Sequence, residues 1–366
     1  MESAWDALPD NLWAAVFSRV EPQGDLPACR GVCGSWRVHG TASVRALKPR
    51  FIFTYMMGIW RGVTVLDLSR LDQTSLSHIE DYDWSHRTLS GLRSIDFAGR
   101  ANAGCLERLR RVTGLTELNL RGSEVHANAL QWLRCLTCLT KLDLSSTSIG
   151  EDELEEVGEI VSLEELNLDN CPYLSDAAML QLCSLTNCPL TGLTKLVLGC
   201  CLAVTDVGVV ELARSMPHLR ELDLNGLWDV TDAGVIAIAG LANLTRLGLG
   251  STYRMTPVGL RALCTRLTAL THLDLHRCGC SDVRPAPDGL NPILDEHLAW
   301  FPACLPGLKS LTLSKMGTQR IEADGSRGWM HDDQPTVTDA AIQRLRVAMS
   351  GCDFDVPRPP RAYYDP

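Results

Sequence analysis

The feature that most constrains this chain is a short motif, L-x-x-L-x-L, that returns about ten times along it. Successive copies begin 23 to 38 residues apart, and most begin 23 to 30 apart. A recurring period of this size indicates stacked structural units rather than one globular core. The copies are 63–68, 92–97, 115–120, 139–144, 163–168, 193–198, 219–224, 244–249, 270–275 and 308–313, with a degenerate last strand at 354–356.

Each copy predicts a short strand with one buried face, because its leucines alternate with other residues. A helix should follow most strands, since Thr205-Asp206 and Thr231-Asp232 read as an N-cap followed by an acid in the first helical turn. One such unit cannot bury its own apolar face, so the units must stack. The predicted fold is therefore an α/β solenoid of about ten units, curved because helices are wider than strands, with the strands inside.

Three cysteines keep the same place in their units. Cys171, Cys201 and Cys278 each fall eight residues after the first residue of the motif. This pattern resembles the cysteine-containing class of leucine-rich repeats, which is common in F-box proteins. We interpret these cysteines as small buried side chains beneath the loop.

A different pattern precedes the repeats. Asp6 to Asp10 predict the start of a helix with Leu12, Val16, Phe17 and Val20 on one face. Pro22 to Asp25 predict a turn, and Asp25 can cap a second helix. The stretch from about residue 5 to 48 resembles the F-box family, although Asn11 stands at a usually acidic position and Gly24 looks like an insertion. The resemblance assigns adaptor binding to Leu8, Pro9, Leu12, Val16, Phe17, Leu26, Val32 and Trp36. Asp25 and Cys33 also match the family pattern.

The resemblance implies a role in ubiquitin ligation. An F-box binds a Skp-type adaptor, which joins a cullin and a RING subunit, while the repeats hold the substrate. The alternative for the N-terminal residues is that they simply pack on the first repeat, since about forty residues are too few for a robust core of their own.

The domain organisation follows from these patterns. We expect an all-α F-box module at 1–48, a repeat solenoid at 49–351 and a Pro-rich cap or tail at 352–366. Two insertions interrupt the repeats, at 279–306 and 315–336, and the first should contain a helix between Pro292 and Phe301. Long loops in a compact array are often functional.

The strand positions between the leucines should face a partner. At these x positions nine side chains are acidic and four are basic, which suggests a partner with a basic segment. A solvated face with paired charges is an equally good interpretation. The residues predicted to bind a substrate are Glu165, Asp169, Glu221, Asp223, Trp228, Arg246, Tyr253, His272, His276 and Trp329.

A sharper hypothesis concerns one end of this face. Gly199, Gly248 and Gly250, with Val197, suggest bare, shallow ground. Leu202, Trp228 and Tyr253 follow at equivalent places in successive repeats and suggest an aromatic rim beside it, where a partner could anchor. The alternative is that the aromatic rings pack onto the neighbouring unit.

Several classes of function are disfavoured. The net charge of −10 argues against nucleic acid binding, and no apolar run reaches the ~20 residues of a membrane span. The N-terminus does not read as a signal peptide, so the fifteen cysteines read as reduced thiols and the location as cytoplasm, nucleus or both. The sequence contains no phosphate loop, nucleophile elbow or zinc-protease motif, so we expect neither an enzyme nor a bound cofactor. His272 and His276 lie too far apart along a strand to share an ion, so we expect no metal site.

The sequence therefore predicts a substrate-recognition subunit of a Skp-cullin-F-box type ubiquitin ligase. A non-ligase scaffold or structural subunit of a larger complex is the alternative. A small-molecule receptor is a third possibility, although no basic cofactor pocket is visible in the sequence.

Overall fold

The structure is a computed structural model that describes residues 46–47, 63–68, 91–97, 99–184, 189–278, 293–313, 320–321, 327–328 and 337–354. The chain divides into two compact units, Met1–Asn167 and Leu168–Pro366, so a boundary falls inside the predicted 49–351 solenoid. In each unit short parallel strands alternate with helices. The predicted leucine-rich repeat architecture is confirmed, whereas most of the predicted F-box module lies outside the described residues.

The strands of the N-terminal unit pair in parallel and in sequence order. Val65, Ser94, Glu117, Lys141 and Glu165 lie opposite one another in successive strands. The strands are β1 (Ala46–Leu47), β2 (Val65–Asp67), β3 (Ser94–Asp96), β4 (Glu117–Asn119), β5 (Lys141–Asp143) and β6 (Glu165–Asn167). Its helices are α1 (Ala103–Leu109), α2 (Ala127–Leu130), continued by a 3₁₀ helix (Gln131–Cys135), and α3 (Glu151–Gly158).

The C-terminal unit repeats this plan. Lys195, Glu221, Arg246, His272 and Ser310 lie opposite one another. Its parallel strands are β7 (Lys195–Val197), β8 (Glu221–Asp223), β9 (Arg246–Gly248), β10 (His272–Asp274), β11 (Ser310–Thr312) and β14 (Asp353–Phe354). Its helices are α4 (Asp176–Ser184), α5 (Asp206–Ser215), α6 (Asp232–Ile238), α7 (Pro257–Arg266), α8 (Trp300–Cys304) and α9 (Asp339–Ala348), with 3₁₀ helices at Pro189–Gly192 and Asp295–Ala299.

The leucines of the motif form the core. Leu219 and Leu224 are 0 % exposed and Leu222 is 2 % exposed, and the other units behave alike. Each strand therefore contributes leucines to the interior, and the residues between them remain available on the other face. Burial of a leucine side chain stabilises the fold by roughly 1.5–3 kcal/mol, so the repeated leucines account for much of the apolar driving force.

The helix starts follow the Thr-Asp pattern. Thr205, Thr231 and Thr256 are N-caps, and each hydroxyl accepts a hydrogen bond from the backbone N–H two residues later. This satisfies one of the N–H groups that a helix start leaves unpaired. The predicted starts of α5 and α6 are confirmed.

The two predicted insertions contain some regular structure. The first holds the Asp295–Ala299 3₁₀ helix and α8, which end a few residues beyond the expected Phe301. The second holds a two-stranded antiparallel hairpin, β12 (Arg320–Ile321) with β13 (Arg327–Gly328). The predicted last strand is present as β14, one residue earlier than expected. Within the described ranges, no helix has the length and apolarity that crossing a bilayer requires.

Candidate partner-binding site

The strands of the C-terminal unit present a polar face between their buried leucines. We call it the strand face, and it is formed by Lys195, Val197, Glu221, Asp223, Arg246, Gly248, His272 and Asp274. The first strand residues form one row across the sheet and the third strand residues form a second row. Four of the ten predicted substrate-binding residues lie on these rows: Glu221, Asp223, Arg246 and His272. Trp228, Tyr253 and His276 lie in the loops that follow the strands.

The charged side chains of the first row alternate in sign. The Glu221 carboxylate lies 3.5 Å from Lys195 Nζ and 3.4 Å from Arg246 Nε. The corresponding row of the N-terminal unit alternates with the signs exchanged, since Lys141 Nζ lies 3.8 Å from Glu117 and 3.0 Å from Glu165. The hydrogen bond and charge of Glu165 raise the pKa of Lys141. The paired-charge interpretation is confirmed for these six side chains, since each has an opposite charge on an adjacent strand.

The second row and the residues after it contain a buried polar network. Asn225 Oδ1 accepts a hydrogen bond from the Gly250 N–H, and Asn225 Nδ2 donates to Asp274 Oδ2 at 3.4 Å. Asp274 Oδ1 accepts from the His276 N–H at 3.1 Å and lies 3.5 Å from His276 Nδ1. Asn225 is 7 % exposed and Asp274 5 % exposed, so these partners satisfy groups that would be costly to bury alone.

The expectation of bare ground is wrong at Gly248 and Gly250, where neighbouring side chains occupy the space. A Cβ on Gly248 would lie 2.7 Å from Asp223 Oδ1 and 2.9 Å from Asn225 Nδ2, and a Cβ on Gly250 would collide with the His276 ring. Neighbouring side chains therefore lean over both glycines, because the missing Cβ leaves room for them. Asn225 and Asp274 lie 49 positions apart in the sequence, and only the fold shows that they join across this face.

His272 lies at the end of the first row beside two cations. Its Nδ1 is 2.8 Å from the Thr271 hydroxyl. Partial burial, followed by the charges of Arg246 and Lys309, lowers the pKa of His272. A neutral imidazole is thus favoured here, and its ring can donate or accept a hydrogen bond depending on its tautomer. In the described ranges, no three His, Cys, Asp or Glu side chains cluster in a way that could hold a metal ion.

The predicted aromatic anchor is formed by two neighbouring loops. The rings of Trp228 and Tyr253 have centroids 6.3 Å apart and are tilted by 39°, which is a favourable aromatic contact. Both residues are half-buried, and Leu202 at the equivalent place of the preceding unit is 46 % exposed. The two rings thus pack against each other between neighbouring repeats and still expose part of their surface to a partner.

The repeat cysteines are structural. Cys171, Cys201 and Cys278 are all 0 % exposed. The Cys201 thiol donates to the Leu168 carbonyl at 3.1 Å and the Cys278 thiol to the Leu249 carbonyl at 2.7 Å, in each case in the preceding repeat. Burial raises the pKa of Cys278 to about 12 and also raises that of Cys201, so these thiols stay protonated donors. The interpretation of these cysteines as buried side chains is confirmed.

The remaining predicted residues are not joined to this site. Glu165 belongs to the N-terminal unit, and Asp169 follows the first residue of the C-terminal unit and is half-buried. Trp329 lies outside the described residues, as do the eight predicted adaptor-binding residues Leu8, Pro9, Leu12, Val16, Phe17, Leu26, Val32 and Trp36.

Comparison of the sequence with known families finds one repeat. The family described as "Leucine Rich repeat" matches residues 215–239, which include β8 and α6. A curated protein of Caenorhabditis elegans, named "Putative RNA-binding protein EEED8.10", is 29 % identical over 160 residues, which are 43 % of this chain. The matched part is 21 % of the length of that relative.

Comparison with solved structures finds similar chains, of which the first shows the same fold. An internalin (inlF) from Listeria monocytogenes is similar with a TM-score of 0.53 and 16 % identity, over 96 % of this chain and 95 % of that chain. Internalin C2 from the same organism has a TM-score of 0.41 at 18 % identity, over 60 % of this chain and 84 % of that chain. A chain in the crystal structure of the yeast Rad7 and Elc1 complex has a TM-score of 0.40 at 17 % identity, over 92 % of this chain and 94 % of that chain.

These observations agree on one coarse function. The chain contains leucine-rich repeats, and its strands present a satisfied, mixed-charge face with an aromatic pair at its border. Repeats of this kind expose long surfaces for partners and are typically non-catalytic. The repeats of this chain are a scaffold for protein interaction.

Proposed function

We propose that this protein is the substrate-recognition subunit of a Skp-cullin-F-box type ubiquitin ligase, in the cytoplasm, the nucleus or both. The observation that carries the proposal is the order of two signals, an F-box-like segment at 5–48 followed by the repeats. The first would bring a Skp-type adaptor, and through it a cullin and a RING subunit. The repeats would bring the substrate, and other subunits would transfer ubiquitin.

The strand face supports the second half of this proposal. The charged side chains of its first row are already paired with one another, so a partner would compete with these ion pairs. Recognition would also involve the half-buried Asp223, whose Oδ1 accepts a hydrogen bond from the Asn225 N–H, and the border formed by Trp228 and Tyr253. Aromatic anchors beside a polar face are typical of binding hot spots, and a substrate with a basic, partly apolar segment fits this chemistry.

Capture by a purified Skp-type adaptor tests the first half. The full chain should be retained on the immobilised adaptor, and the Leu8→Ala/Pro9→Ala variant should not, because the apolar contacts of the motif would be lost. Ser18→Ala changes the same predicted helix at a residue outside the motif and should be retained like the native chain. Circular dichroism of all three proteins would separate lost binding from lost folding.

Failure of capture by a folded native chain would overturn the ligase role. It would favour the alternative, a scaffold or structural subunit of a larger complex, because the repeats and their strand face do not depend on the adaptor. A rise in melting temperature with a small metabolite, with no adaptor bound, would instead favour a receptor for that metabolite.

A further inference from the structure

Apolar side chains, most of them exposed, recur at two positions in helices α4 to α7 of the C-terminal unit. These positions are the second and fifth residues of each helix, and among the eight only Arg261 is charged. Leu180 is 39 % exposed, Val207 55 %, Val210 43 % and Val258 61 %. We call these residues the outer helix stripe, and it is formed by Ala177, Leu180, Val207, Val210, Ala233, Ile236 and Val258.

The N-terminal unit provides an internal comparison. The exposed residues of α1 include Glu107 and Arg108, and those of α3 include Glu151, Asp152 and Glu155. Outward helix positions with charged side chains are what a solvated repeat requires. Single exposed apolar residues are normal, but a contiguous exposed apolar surface marks an interaction site. The stripe is therefore a feature of α4 to α7 and not of every repeat.

The helices that carry the stripe are held at close approach. Asp176, Asp206 and Asp232 each accept hydrogen bonds from the backbone of the next helix start. The N–H groups of Gly208 and Gly234 complete this contact at 2.9 Å each. A Cβ at either glycine would come within 2.7 Å of the aspartate, so small residues at these places bring successive helices together.

The stripe has one charged end. Arg261 and Arg266 lie on α7 and are exposed. Among the described residues neither has an acidic side chain within ion-pair distance, whereas Arg214 on α5 is paired with Glu211 at 2.7 Å. An approaching partner would therefore meet apolar side chains over most of the stripe and uncompensated positive charge at the α7 end.

We propose that the outer helix stripe is a second docking surface, separate from the strand face, and that it binds an amphipathic helix with an acidic end. Neighbouring helices pack about 8–10 Å apart, so the four helices span roughly 30 Å, the length of a helix of about 20 residues. The two exposed positions on each helix lie about 5–6 Å apart, which is the width of one apolar helix face. The proposal stands or falls independently of the ubiquitin ligase function.

A synthetic helix tests it directly. The probe is a fluorescent peptide of about 20 residues with leucines along one face and glutamates in its first turn, where they also favour the helix dipole. Anisotropy should show binding to the full chain and a loss of about tenfold or more in affinity for Val207→Ser/Val210→Ser, because two apolar contacts are removed. Val161→Ser alters a valine that is 67 % exposed in the N-terminal unit, and it should bind the probe like the native chain.

Charge reversal distinguishes a site from general stickiness. Arg261→Glu/Arg266→Glu should weaken the glutamate peptide and strengthen a matched peptide with lysines in the same positions. Equal binding of the glutamate peptide to the native chain and to Val207→Ser/Val210→Ser would overturn the proposal. So would a native chain that is dimeric by light scattering and becomes monomeric on Val207→Ser/Val210→Ser, because the occupant would then be a second copy.

Discussion

At the scale of single residues, an aspartate in the first helical turn connects successive repeats. Asp206 Oδ1 accepts from the N–H groups of Thr231 and Gly234 at 2.8 and 2.9 Å, and Asp206 Oδ2 accepts from the Thr231 hydroxyl at 2.5 Å. Asp176 and Asp232 make the same three contacts with the next helix. The sequence predicted these residues to favour their own helix dipole, but their hydrogen bonds serve the following helix as well.

Asp206→Ala should lower the free energy of unfolding by about 2–4 kcal/mol, because it removes three hydrogen bonds to a charged acceptor and leaves half-buried donors unpaired. Urea denaturation followed by circular dichroism would measure it. The matched control is Asp229→Ala, which removes an exposed carboxylate 3.6 Å from Arg254 and should cost less than about 1 kcal/mol. Equal losses for the two variants would mean that the contact with the next repeat contributes no special stability.

At the scale of elements, the helices of the two units differ in what their glycines do. Gly234 in α6 is buried between Asp206 and Val230, so that a Cβ would lie 2.6 Å from Asp206 Oδ1. Gly104 in α1 is exposed, and a Cβ there would have only an ordinary contact, 3.5 Å from Asn102 Oδ1. Glycine is thus required for helix packing at position 234 in α6, whereas at position 104 in α1 it only lowers the stability of the helix.

Alanine at these two glycines should have opposite effects. Gly104→Ala should stabilise the fold by about 0.4–1 kcal/mol, because alanine lowers the conformational entropy of the unfolded chain. Gly234→Ala should destabilise it by about 1–3 kcal/mol, because the added methyl group overpacks the contact with Asp206. Thermal unfolding of both variants would show the signs, and a stabilising Gly234→Ala would contradict the close approach of α5 and α6.

At the scale of the whole molecule, some of the charged side chains are paired with one another and others can attract a partner. The chain has 44 acidic and 34 basic residues, yet the first rows of both units pair opposite charges across adjacent strands. The acidic side chains that can attract a partner include the half-buried Asp223 on the strand face and the exposed Glu159 directly after α3. Such attraction is long-ranged and is screened by salt.

A lysine-rich peptide should bind the full chain with an affinity that falls as ionic strength rises. Asp223→Asn should weaken binding at low salt and make the salt dependence shallower, because one interacting charge is removed from the strand face. Glu159→Gln makes the same change of charge directly after α3, at a residue that does not belong to the strand face, and should have a smaller effect. Isothermal titration at three salt concentrations would measure both, and equal effects would show that only net charge matters.

Much of the fold could be predicted from sequence because its determinants are local and periodic. Leu219, Leu222 and Leu224 are separated by polar residues, and this pattern determines where the strand lies. Thr231 determines where the following helix begins. The candidate anchor formed by Trp228 and Tyr253 could be placed too, since equivalent positions in stacked repeats become neighbours. The F-box-like segment is a sequence inference of the same kind, and its residues remain a prediction.

What the sequence by itself determined is therefore the repeat, its buried face and its capped helices, all of which depend on neighbours within one unit. Only the tertiary structure decided which side chains meet between successive repeats. The side chains of Asn225 and His276 cover Gly250. Asp206 accepts hydrogen bonds from the start of the next helix. Val207 belongs with Leu180 and Val258 to the exposed outer helix stripe. The physical reason is that these contacts join residues 25 or more positions apart, and their geometry depends on the spacing of packed strands and helices, which no local pattern records.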